Sequence, residues 1–144
     1  MAVTQSRRIL VAVNNWSVRQ LVSHALQSSD WDLIYCDSVE EAKQLLHQHC
    51  DLIFCTLRFD SSRLFDLLQY AKADPQIKPI PFVALKITDG VLSESTVKAV
   101  LKTAQLSGAD KCVNLAQWRQ QLGDEPAYEK LRNTIGQLLA IHPA

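Results

Sequence analysis

Five short apolar runs alternate with five stretches of helical period along the 144 residues of this chain. The runs are Arg8 to Val13, Trp31 to Cys36, Leu52 to Thr56, Pro81 to Leu85 and Lys111 to Leu115. Between them, apolar residues recur three and four apart: Val18, Leu21, Val22 and Ala25; Ala42, Leu45 and Leu46; Leu64, Leu67, Leu68 and Ala71; Val97, Val100, Leu101 and Ala104; Leu131, Ile135, Leu138 and Leu139. That spacing lines one face of a helix, whereas a run of five or six apolar residues suits a strand buried on both sides. Their alternation predicts a parallel sheet covered by helices on both faces, an α/β architecture.

The boundaries have local causes. Ser38 is placed to cap the second helix, with Glu41 three residues later completing a capping box. Asp74-Pro75 and Lys78-Pro79 disfavour helix ahead of the fourth strand, because a residue before proline is pushed out of the helical region. Gly108 is expected to end the fourth helix, and Leu122 to Ala127, with Gly123, Asp124 and Pro126, to form a loop or break before the last. No internal repeat is visible, and one domain over 1–144 is expected, with 1–7 flexible and 140–144 a tail.

Charge and composition narrow the partners. Fifteen basic and fifteen acidic side chains cancel, so no large field favours nucleic acid or a membrane surface. No apolar run approaches the ~18–20 residues that span a bilayer. Arg7 and Arg8 precede Ile9 to Val13, too short an apolar region for a secretory signal, and the expectation is a cytoplasmic protein. Cys36, Cys50, Cys55 and Cys112 show no metal-ligand spacing and read as free buried thiols; a redox pair would require two of their strands to be neighbours. No metal and no cofactor is called for.

Four motifs in order carry a resemblance that covers nearly the whole chain. They are Arg8 to Leu21 with Ser17-Val18-Arg19, Asp51 to Phe59 with its apolar strand, Ala73-Asp74-Pro75 leading to Ile80-Pro81, and Gly108-Ala109-Asp110. Together they resemble the receiver domain of two-component response regulators. The resemblance implies a flavodoxin-like, doubly wound five-stranded sheet with strand order 2-1-3-4-5. It also implies a phosphorylation site, onto which five positions fall. The magnesium-binding acidic pair falls on Val13 and Asn14, the phosphoacceptor aspartate on Thr56, the switch hydroxyl on Lys86 and the family's lysine on Leu115.

Every one of these departs from the family pattern. A proline and a glycine of the loop after the third strand fall on Asp60 and Leu64, and the proline after the family lysine on Ala116. Magnesium requires hard oxygen ligands, which Val13 does not offer and Asn14 offers only as a neutral carbonyl. A phosphoryl group in transfer needs its charge met by metal and cation, and Leu115 supplies neither. Thr56 is a weak nucleophile without a base. Lys86 introduces a charge, read either as binding an anionic ligand or partner carboxylate, or as pairing with Asp60 or Asp89.

The expected function is therefore that of a non-enzymatic pseudo-receiver, a signalling module acting by phosphorylation-independent protein–protein interaction. The alternatives are a small-molecule sensor using the vacated pocket, or a phosphotransfer protein with a displaced acceptor. In receivers, partners and dimer mates dock on the face of the fourth helix, fifth strand and fifth helix. The chain is longer than usual between Lys86 and Gly108 and again after Ala116, so the resemblance implies an altered face that recognises another protein or a second copy. Candidate surface residues are Trp16, Arg58, Phe59, Lys111 and Trp118. Trp16 is open to two readings, as a partner anchor or as a lid over its own domain; Trp118 is read as core more readily than interface.

Overall fold

A computed structural model describes residues 6–27, 30–87 and 93–141. Its parallel strands are β1 (Arg7–Ala12), β2 (Trp31–Cys36), β3 (Leu52–Thr56), β4 (Phe82–Lys86) and β5 (Lys111–Asn114). They form one sheet in the order β2-β1-β3-β4-β5, as the resemblance implied. The helices are α1 (Trp16–Ala25), α2 (Val39–Leu46), α4 (Leu64–Ala73), α5 (Glu94–Leu106), α6 (Leu115–Leu122) and α7 (Asp124–Ile141), with a single turn, α3 (Phe59–Ser62), after β3.

The period of two along each strand sorts its side chains into two cores. Leu10, Ala12, Ile53, Cys55, Phe82 and Ala84 pack under the apolar stripes of α2, α4 and α5. Ile9, Val11, Leu52, Phe54, Val83, Leu85 and Val113 pack on the opposite face under α1 and α7. One row crosses the whole sheet in register: Cys36, Ala12, Cys55, Ala84 and Cys112, one residue from each strand. Alternating thiols and alanines keep this row thin on the side of the sheet whose core also holds Phe59, Leu64 and Leu67. Cys36 and Cys55 are two strands apart, about 10 Å at the strand spacing, beyond the ~7 Å that a disulfide bridges. The same separation holds for Cys55 and Cys112.

Local expectations mostly meet their structural counterparts. Ser38 Oγ accepts from the Glu41 N–H at 3.0 Å, and Glu41 Oε1 accepts from the Asp37 N–H, one residue earlier than a standard capping box. Gly108 follows α5 with φ of 112°, and a Cβ there would meet Lys72 Cγ at 3.1 Å.

Other boundaries differ. Leu115 is not the last residue of β5 but the buried first residue of α6. The break expected over Leu122 to Ala127 narrows to Gly123, because Pro126 sits in the first turn of α7, where no helical hydrogen bond needs its missing N–H. Arg7, expected in a flexible arm, begins β1 and donates to the Leu139 carbonyl at 3.2 Å. Ala140 and Ile141, expected in a tail, are helical; residues 1–5 and 142–144 lie outside the described residues.

Candidate functional site

The carboxyl ends of the strands bring the five predicted pocket residues to one end of the sheet. Val13 follows β1 with its side chain 1% exposed, packed in the α1/α7 core beside Leu85 and Leu115. Thr56 ends β3, and its hydroxyl donates to the Ala12 carbonyl at 3.4 Å. Lys86 ends β4, in register with Asn114 of β5. Asn114 uses its own side chain to cap α6, accepting from the Gln117 N–H at 3.1 Å.

Asn14 lies at the centre of this end. Its side-chain amide donates to the Asp37 carbonyl, and its Oδ1 accepts from the Asp60 N–H at 2.5 Å. The loops after β1, β2 and β3 are thus joined through one neutral side chain. Asp60 Oδ2 in turn accepts from the Val39 N–H at 2.9 Å, at the start of α2, and pairs with Arg63 at 3.1 Å. Arg63 also reaches Glu40 at 3.0 Å and Asp66 at 2.9 Å. Its own backbone N–H and the Arg63 guanidinium hold the Glu40 carboxyl below the usual carboxylate range.

A second tie comes from α1. Arg19 Nε donates to the Val13 carbonyl at 2.6 Å, and the same guanidinium donates to the Cys36 carbonyl at 3.1 Å and pairs with Asp37. It also stands over the Tyr35 ring, 5.2 Å from the centroid. One cation therefore binds the ends of β1 and β2. Sequence reasoning singled out Arg19 only as part of a motif and missed Asp37 and Arg63; their signal is a carboxylate or guanidinium one or two residues past a strand end, which is common in any α/β chain.

The loop after β3 is strained. Asp60, Ser61 and Ser62 carry φ of 48°, 56° and 67°, a left-handed turn of three non-glycine residues. Each costs about 1–2 kcal/mol in that region, offset here by the bonds of Asp60 to Asn14, Val39 and Arg63. The turn folds Phe59 inward until it is 1% exposed in the α2/α4/α5 core, so Phe59 is not a surface residue as expected. Arg58 beside it is exposed.

Asp60, one of two acids expected to meet Lys86, pairs with Arg63 instead; the other, Asp89, lies outside the described residues. Among the described residues Lys86 forms no ion pair. Trp16, the first residue of α1, is 71% exposed and belongs to neither core cluster, which does not suit a lid over its own domain. Trp118 is half-buried against the α1/α7 core with the Lys130 ammonium 4.2 Å from its ring centroid, and Lys111 is exposed on the edge strand β5.

These residues do not fit a magnesium ion. Val13 is aliphatic and buried, the oxygen and nitrogen of Asn14 are both committed to backbone partners, and the nearby carboxylates Asp37 and Asp60 are held by Arg19 and Arg63. Among the described residues no group of three or more His, Cys, Asp or Glu side chains is placed to hold a metal. Nor is any described helix long and apolar enough to cross a membrane.

No protein-family model matches the chain, and no curated protein matches it. Solved structures do. The phosphorylated cyanobacterial phytochrome response regulator RcpA superimposes with a TM-score of 0.73 at 16% identity, over 94% of this chain and 96% of that one. The response regulator domain of Thermotoga maritima CheB gives 0.68 at 14% identity, over 96% and 100%. The receiver domain of a sensor histidine kinase from Pseudomonas aeruginosa, with magnesium coordinated in its active-site cleft, gives 0.60 at 13% identity, over 76% and 84%. The fold of this chain is that of the receiver domains of response regulators.

Proposed function

We propose that this chain is a receiver-like signalling module that is not phosphorylated and works by binding another protein. The observation that carries this reading is the commitment of the polar groups at the strand ends. In the proposed correspondence Thr56 stands where a receiver keeps its acceptor aspartate, and Val13 and Asn14 stand in place of the metal-binding acids. The Thr56 hydroxyl is spent on the Ala12 carbonyl, and among the described residues no side-chain base accepts its proton. Asn14 and Arg19 join the loops that a bound ion would otherwise organise, so the domain holds one conformation without metal.

A displaced acceptor has little support. Asp60 is the carboxylate nearest in sequence after Thr56, but it is occupied by the Val39 N–H and by Arg63, which disfavours its attack on a phosphoryl group. The sensor reading meets the same objection, since a ligand would have to displace the bonds that join three loops.

Partner binding is assigned to the face of α5, β5 and α7, the fourth helix, fifth strand and fifth helix expected from the sequence, whose exposed residues include Lys98, Lys102, Leu106 and Lys111. The direct test of the phosphorylation-independent reading is incubation with an acyl phosphate donor and magnesium, followed by intact-protein mass. The mass is expected to stay unchanged; gain of a phosphoryl group, mapped to Thr56 or Asp60, would overturn the reading.

A further inference from the structure

We infer that the outer stripe of α5 docks an acidic segment of a partner protein that carries an apolar anchor, a conclusion that rests on the α5–β5–α7 face being the docking surface. α5 turns Val97 and Ala104 fully into the core, with Val100 and Leu101 packed against it. Lys98, Lys102 and Leu106 follow one another four residues apart on the opposite side, all exposed, so helix geometry sets them in a row about 6 Å apart. Leu106 is 76% exposed, more than any other large apolar side chain that is exposed among the described residues.

The charge along this row is not neutralised internally. Among the described residues Lys98, Lys102 and Lys111 form no ion pair, and Glu94, one turn before Lys98, does not close on it. Five basic side chains elsewhere are paired with carboxylates, Arg7 with Asp51, Arg19 with Asp37, Arg63 with three acids, Lys72 with Asp110 and Arg119 with Asp124, whereas this row sets two unpaired lysines one helical turn apart beside an exposed leucine. Lys111 opens the edge strand after the short turn Ser107 to Asp110, extending the basic row from α5 onto the sheet. Cations in a line beside an exposed leucine complement carboxylates spaced along an extended or helical segment with one apolar residue at its end. A second copy is disfavoured as the occupant, because a two-fold contact centred on the row would set the same lysines against each other.

The probe is a synthetic helical peptide of about four turns with glutamates and leucines at helical spacing, titrated against the full chain while its amide NMR spectrum is followed. A control peptide carries glutamine at every glutamate. The acidic peptide is expected to give saturable shifts along α5 and the start of β5. Lys98→Glu, Lys102→Glu and Lys111→Glu combined should weaken it roughly tenfold, as should raising salt severalfold, and Leu106→Ala should weaken it by a smaller factor. Equal binding of the glutamine peptide, shifts centred instead on Arg58 and Lys86, or no shift at millimolar peptide would overturn the inference. So would a concentration-dependent dimer in sedimentation that the lysine reversals abolish. None of these outcomes alters the mass test for phosphorylation, so the two readings fail separately.

Discussion

Asn14 and Asp60, 46 residues apart, are joined by a hydrogen bond of 2.5 Å from the Asp60 backbone N–H to the Asn14 side-chain oxygen, and the same asparagine holds the Asp37 carbonyl through its nitrogen. A carboxylate at position 14 would keep the first bond and lose the second. It would also set a third negative charge beside Asp37 and Asp60. The neutral amide suits a site that is organised without metal.

Asn14→Ala removes both bonds and leaves the Asp60 amide and Asp37 carbonyl to solvent. The expected loss is about 1–3 kcal/mol in chemical denaturation, since each of the two bonds contributes about 0.5–1.5 kcal/mol. Asn14→Asp should lose a similar amount at neutral pH and recover part of it in added magnesium. Recovery equal to the whole loss would mean that one carboxylate at position 14 is enough for this end of the sheet to hold the ion.

Arg19→Ala should cost more than Arg19→Lys, which keeps the charge for Asp37 but loses the guanidinium fork that serves the Val13 and Cys36 carbonyls together. A charged donor to backbone is worth about 1.5–3 kcal/mol, and the alanine variant should fall in that range by denaturant midpoint. Equal stability of the two variants would assign the effect to charge alone.

How much of this was legible in the sequence varies by residue. Strands β2 and β3 coincide with their apolar runs, and Ser38 caps α2 as its spacing implied, because those signals are local. Phe59 was misplaced: a phenylalanine after Arg58 reads as loop, and nothing local announces the left-handed turn that returns it to the core. Leu115 was assigned to the wrong element, because an apolar residue suits the end of a strand and the start of a helix equally. Val13, Asn14 and Thr56 are visible as identities at the ends of their strands. What Asn14, Arg19 and Asp60 do depends on three loops meeting, which no spacing along the chain encodes.

The left-handed turn should be relieved by glycine. Ser61→Gly removes the Cβ penalty at φ of 56° and adds unfolded-state entropy, so the two effects oppose. The net expectation is a gain of up to about 1 kcal/mol in thermal or chemical denaturation. A loss instead would indicate that the Ser61 side chain contributes a contact that outweighs the strain.

Burial pushes the Cys36 thiol up to about 12 and raises Cys55 as well, with Cys50 and Cys112 raised in the same direction from half-buried positions. Thiolate is therefore scarce in the native protein at neutral pH. Alkylation by iodoacetamide is expected to be slow, with Cys50 and Cys112 reacting ahead of Cys36 and Cys55, and complete within the unfolding transition. Fast labelling of Cys55 in native buffer would contradict the packing of the row across the sheet.

The lowered Glu40 and Asp124 carboxyls set the sign of the acid response. Glu40 is lowered by its backbone bond and by Arg63, and Asp124 by Arg119. A depressed folded-state value stabilises the fold above the ordinary carboxylate range, and that contribution is lost as pH falls through the folded value. Stability should therefore decline on acidification from about pH 5 to about pH 3, modestly because both groups are exposed. Glu40→Gln should flatten part of that slope in pH-resolved denaturation.

The central claim is that the end of the sheet bearing Asn14, Thr56 and Lys86 is held in one conformation by the protein's own bonds. Amide NMR spectra of the chain alone and with magnesium plus beryllofluoride, a phosphoryl mimic, test it most directly. The account predicts superimposable spectra at saturating reagent, whereas saturable shifts clustered on Asn14, Thr56 and Lys86 would contradict it.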